Sequence, residues 1–136
     1  TREAGLSSRS AAPLALPALA RALAELFKGQ HEVIHIRDRF GPRVTDIEWI
    51  SVLNAEGHWT VLSADRRISR NKAEQTAFRA SRLIAFIFAP ALQKGTTLKK
   101  MERLMVLWPK IETQVGLVQG GSMFEIPAKG DRLRSL

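Results

Sequence analysis

Cysteine is absent from this chain of 136 residues, which excludes disulfides and thiolate chemistry and makes a reducing cytoplasm the expected setting. No apolar run is long enough to span a bilayer. The Ala- and Leu-rich stretch Ala11 to Ala24 has some look of a signal peptide, but its helical continuation holds Arg21 and Glu25 and no clean cleavage pattern follows. There is no glycine-rich phosphate loop, no nucleophile elbow and no Cys/His pair. The three histidines, His31, His35 and His58, lack zinc-like spacing. Internal repeats and low-complexity blocks are missing too. Acid is the scarcer charge, 13 Asp and Glu against 21 Lys and Arg, for a net charge of +8 and a pI near 10.8. That excess favours polyanions, nucleic acid above all; the plainer alternative is a basic surface that meets an acidic protein or keeps the chain soluble.

What remains is ordinary globular composition, 45% hydrophobic and 25% charged, enough for one domain with a real core. Residues 1–10 are small and polar and read as a loose arm. Pro17 opens a helix to about Lys28, with Gly29 past its end, and Leu19, Leu23, Leu26 and Phe27 share one face. Glu32 to Arg37 alternates and is β-branched, a strand with Asp38 at its carboxyl end. Arg39 to Val44 holds Gly41-Pro42 and reads as a loop. Thr45 to Glu48 has the form of a capping box; its helix carries Ile47, Ile50, Leu53 and Ala55 and stops at Gly57. Trp59 to Ala64 is an apolar strand ending abruptly in Asp65, Arg66 and Arg67. Asn71 to Glu74 is a second capping box, opening a helix to about Leu83 with a small face of Ala73, Ala77 and Ala80. Ile84 to Ala89 is a buried strand ending at Pro90. Thr97 starts the longest helical pattern, which Pro109 is expected to kink or divide. Gly120-Gly121 turns into a last strand, Met123 to Ile126, before a basic tail.

Strands alternating with helices of these lengths imply crossovers, a mainly parallel sheet and helices on both faces. In such sheets functional groups gather at the carboxyl ends of strands, where helices also start. Asp38 and Asp65 at strand ends and Asp46 at a helix start are expected to meet there. Carboxylates so placed suit Mg²⁺ or Mn²⁺, which prefer oxygen ligands. Arg66, Arg67, Arg70 and Lys72 stand beside them to hold phosphate. Acid with adjacent base is the combination that phosphodiester hydrolysis needs. Each acid also has a structural reading. Asp46 complements a helix dipole, Glu48 and Glu74 complete capping boxes, Asp65 begins a turn, and Asp38 is a loop acid. Trp49, Trp59 and Trp108 read as core.

The run His31-Glu-Val-Ile-His-Ile-Arg-Asp38, then Asp46-Ile-Glu-Trp-Ile50, then Trp59-Thr-Val-Leu-Ser-Ala-Asp-Arg-Arg-Ile68 with Asn71 and Glu74, resembles the PIN-like domains, in particular their VapC-type toxin branch. The resemblance runs from about Pro17 to Ala128. It implies a three-layer α/β/α sandwich, Mg²⁺- or Mn²⁺-dependent cleavage of RNA, a homodimer and a cognate antitoxin. By position Asp46 and Asp65 match family acids as catalytic residues and metal ligands, with Asp38 and Glu74 weaker matches. The family's first strand ends in an aspartate that binds the metal. Here the corresponding stretch, Ser10 to Leu16, holds no acid, and Pro13 is a poor central-strand residue. The first strand is therefore expected to be atypical or missing, with residues 1–16 an arm, 17–128 the PIN-like domain and 129–136 a basic tail. Losing one carboxylate weakens Mg²⁺ binding and impairs cleavage. The competing functions are a non-catalytic module binding RNA or a protein through its basic face, and a nucleotide-binding signalling domain, which the missing glycine-rich turn opposes.

Overall fold

The computed structural model describes residues 9–12, 17–57, 59–63 and 70–136. Their strands form one six-stranded sheet in the order β2-β1-β3-β4-β5-β6. The strands are β1 (Arg9–Ala12), β2 (Glu32–His35), β3 (Thr60–Ser63), β4 (Ile84–Phe88), β5 (Met123–Ile126) and β6 (Arg134–Ser135). All neighbours are parallel except β5 and β6. The described helices are α1 (Pro17–Leu26), α2 (Ile36–Phe40), α3 (Asp46–Glu56), α4 (Lys72–Arg79), α5 (Pro90–Gln93) and α6 (Thr97–Leu117).

The central strand β4 shows why helices cover both faces. All five of its residues are buried. Ile84, Phe86 and Phe88 pack on one side with Leu19, Leu23 and Phe27 of the α1 segment and Leu104, Leu107 and Ile111 of α6. Ala85 and Ile87 pack on the other with Trp49, Ile50 and Leu53 of α3 and Phe78 of α4. The period of two sends alternate side chains to opposite layers, and a continuous apolar run is what a strand buried twice requires. The expected α/β architecture with a mainly parallel sheet is the one observed. Losing a buried phenyl such as that of Phe86 from such a core costs about 3–5 kcal/mol.

Several expectations need correction. The first strand is present: Arg9–Ala12 lies between β2 and β3, with Ala12 opposite His35 and Ser10 opposite Thr60. Backbone ladder bonds form whatever the side chains, so four small or polar residues suffice for the strand. At the other end, Arg134 and Ser135 of the basic tail pair antiparallel with β5. Strand β2 stops at His35, not Arg37, and Ile36–Phe40 turns into a short helix. Gly41, at φ +90°, ends that helix and donates its N–H to the Arg37 carbonyl at 2.9 Å. The Gly-Pro pair was a correct sign of a turn; a single helical turn before it is too short to leave a periodic pattern. Leu26 and Ile47, assigned to apolar faces, are exposed, and Trp49 fills the core position of α3 instead. Helix α4 ends at Arg79 rather than near Leu83, and it is the ring of Phe78, fully buried, that packs on the sheet. Helix α6 is not divided: Pro109 sits inside one element of 21 residues.

Two close approaches fix the corners. A Cβ on Gly120 would lie 2.5 Å from the Arg82 backbone, and one on Gly121 would meet the Arg79 carbonyl. Only glycine fits where these turns touch. Arg39 of α2 reaches Glu56 of α3 with two N–H donors, and Trp59 donates its ring N–H to the same carboxylate at 3.0 Å.

Candidate active site

The starts of α2, α3 and α4 line a cleft of about 480 Å³. Its described lining comes from Arg37 of α2, from the cap and first turn of α3 (Val44, Thr45, Asp46, Ile47) and from the cap and first turn of α4 (Asn71, Ala73, Glu74).

Both helices on the cleft are capped by their own sequence. Thr45 Oγ1 accepts the Glu48 N–H at 3.2 Å, and the Thr45 N–H donates to Glu48 Oε1 at 3.0 Å, the full reciprocal box. Those hydrogen bonds from Thr45, side chain first and backbone second, hold the Glu48 carboxyl below its ordinary value. Glu48 is thus committed to the cap, as its structural reading had it. In α4, Asn71 Oδ1 accepts the Glu74 N–H at 3.1 Å. The caps set where each first turn begins, and so set Asp46 and Glu74 on the cleft wall.

Asp46 is more than a complement to the helix dipole. Its Oδ1 accepts the ring N–H of Trp49 at 2.8 Å, and Trp49 is fully buried. A side chain anchored to a core indole has one orientation, with one carboxylate oxygen engaged and the other left as a hard donor. The i to i+3 spacing of Asp46 and Trp49 makes the contact local to one turn.

The remaining sequence candidates divide. Asp38 is exposed on α2 and outside the described lining, with its Oδ1 3.9 Å from His35 Nδ1. Its neighbour Arg37 occupies the cleft in its place. Sequence reasoning passed over Arg37 because it assigned that residue to the strand; the signal was its adjacency to Asp38 at the strand end. Arg70 and Lys72 are exposed on either side of Asn71. Asp65, Arg66 and Arg67 lie outside the described residues. Among the described residues no three His, Asp or Glu side chains are grouped to hold a metal ion. The three tryptophans are core, at 0%, 1% and 9% exposure for Trp49, Trp59 and Trp108, which removes them as stacking platforms.

An anionic strand entering this cleft would meet an arginine and the N-terminal ends of two helices, whose free N–H groups and dipoles favour negative charge. It would also meet two carboxylates, which repel phosphate unless a cation intervenes.

Residues 14–90, more than half of the chain, match a family model described as PIN like domain. Searches of curated proteins and of solved structures returned no match. The matched span contains Asp38, Asp46, Asp65 and Glu74 and ends at the first residue of α5. The chain belongs to the PIN like domain family.

Proposed function

We propose that this PIN like domain is a Mg²⁺- or Mn²⁺-dependent endoribonuclease of the VapC type, the toxin of a toxin–antitoxin pair, acting in the cytoplasm as a homodimer. Its hydrolysis is weakened by the lack of an acid after β1. The observation that carries the reading is the meeting of Asp46 and Glu74, from the first turns of two helices, on one cleft that Arg37 also lines.

The donors fit the ion. Mg²⁺ is commonly held by one or two carboxylates, with waters and substrate phosphate completing its shell. Asp46 and Glu74 would hold it, with Asp65 as a third ligand. The ion, when bound, supplies an activated water and shields the charge that develops on phosphorus. The protein's own part is positioning. Trp49 fixes the Asp46 carboxylate, so its approach to a ligand costs little further entropy. Arg37 offers a planar fork of donors to a phosphate in the cleft. Arg66, Arg67, Arg70 and Lys72 grip the strand on either side.

One observation favours a second reading, a non-catalytic module that binds RNA. Pro13-Leu14-Ala15-Leu16 follows β1, so the place where the family resemblance puts an acid has none. A single assay separates the two. Labelled single-stranded RNA is incubated with the protein and Mn²⁺, with and without chelator, beside Asp46→Asn, Glu74→Gln and Asp65→Asn. Cleavage is expected to stop with chelator and to fall about a hundredfold in Asp46→Asn, the scale of losing a group that stabilises transition-state charge. Cleavage that survives both would sink the nuclease reading. RNA binding with no cleavage under any condition would select the second.

A further inference from the structure

His35 closes strand β2 and is the N-cap of α2. It is more than nine-tenths buried, at 8% exposure, yet neither of its ring nitrogens makes a hydrogen bond. Buried imidazoles are nearly always partnered, since an unmet donor or acceptor away from water is costly. The group closest to meeting it is the Asp38 carboxylate, whose Oδ1 stands 3.9 Å from Nδ1. That separation is too long for a hydrogen bond. It suits two ligands of one ion, because metal–donor bonds of about 2.1 Å let donors on a shared cation stand up to about 4 Å apart.

We propose that His35 and Asp38 form a binding site for a first-row divalent transition metal, of the Mn²⁺, Co²⁺ or Zn²⁺ class, separate from the Asp46–Glu74 cleft. Three observations build it. The histidine is held: Ala12 of β1 pairs with His35, and the next residue, Ile36, is fully buried. The carboxylate is adjustable: Asp38 is 77% exposed, so it can close on an ion without disturbing the core. The spacing of three residues across the first helical turn brings both donors to one side. An imidazole nitrogen beside a carboxylate oxygen selects these metals over Mg²⁺, which takes oxygen alone. With two protein ligands the rest of the shell is completed by water or a phosphate oxygen reaching the ion from the exposed Asp38 side. Arg37, between the two ligands in sequence, lines the neighbouring cleft, so an ion here would stand beside the path of an anionic strand.

The test needs no RNA and no catalysis. The metal-free protein is titrated with Zn²⁺ by calorimetry and with Co²⁺ while the imidazole resonances of its three histidines are followed by NMR. The expected result is a site at which Co²⁺ broadens or shifts His35 most strongly and His31 less, with Zn²⁺ affinity at that site falling at least tenfold in His35→Gln and in Asp38→Asn. Excess Mg²⁺ should not compete. Asp38→Asn changes an exposed side chain and so answers the question even if His35→Gln does not fold. Asp46→Asn should leave the site intact, which keeps its failure distinct from failure of the nuclease reading. Unperturbed His35 resonances under saturating Co²⁺, or unchanged affinity in Asp38→Asn, would overturn it.

Discussion

His31 illustrates how one side chain ties charge to packing. It lies edge-on to both rings of the stacked Phe27–Trp108 pair, at 5.1 and 5.8 Å, with Nε2 3.5 Å from Glu112 of α6. Burial lowers its pKa below 6.5, and Glu112 offsets only part of that. The folded protein therefore favours neutral His31, while the unfolded chain takes up a proton at its ordinary value. Its contribution is complete above pH 6.5 and is lost as pH falls through 6.5 towards the lower folded value. The melting temperature is thus expected to hold steady above neutrality and to drop on acidification to pH 5. Replacing His31 with Phe should make that drop shallower; an unchanged profile would refute the account. At the same scale, the candidate site was half legible. Asp46 could be read as a candidate from its helix-start pattern; Glu74 was read mainly as a capping residue. The anchor from Trp49 could not, because which face of α3 is buried depends on a sheet that the local pattern does not contain.

Helix α6 shows an element overruling its own sequence. Pro109 has no N–H for the Met105 carbonyl, and its ring crowds that carbonyl. The helix persists because Trp108 and Ile111, on either side, are locked into the core, while Pro109 itself faces solvent. Trp108 stacks on Phe27 at 4.5 Å, which fixes the turn containing the proline. Pro109→Ala should restore the missing bond without touching the core and stabilise the protein by about 2 kcal/mol, the helix gain less the entropy that proline removes from the unfolded chain. Urea denaturation would measure it, and a loss of stability would show that the proline is required. The apolar, strongly patterned elements (α1, α3, β3, β4, α6 and β5) were readable as a sequence. Those without an apolar pattern, β1, β6 and α2, were not. Their residues are placed by neighbours far along the chain, so periodicity has too few positions to register them.

For the molecule as a whole, the net charge of +8 sets how the proposed function should answer to salt. If four phosphates of a single strand are neutralised, raising salt from 50 to 200 mM should weaken RNA binding by about fiftyfold. Filter binding across that range would test it, and a flat response would remove the electrostatic grip. The layered architecture followed from alternating elements, and the family match over residues 14–90 agrees with it. What neither conveyed is how unevenly the sheet is joined. β1 pairs with β2 at four positions but with β3 at only two. Among the described residues the thinnest interior seam of the sheet therefore runs between β1 and β3, matched only by the β5–β6 join at its edge, while the Arg39–Glu56 ion pair ties α2 to α3. Any parting along that line would draw the wing bearing Arg37 and His35 away from the body bearing Glu74, so the two halves of the cleft can come together only as firmly as this narrow join allows.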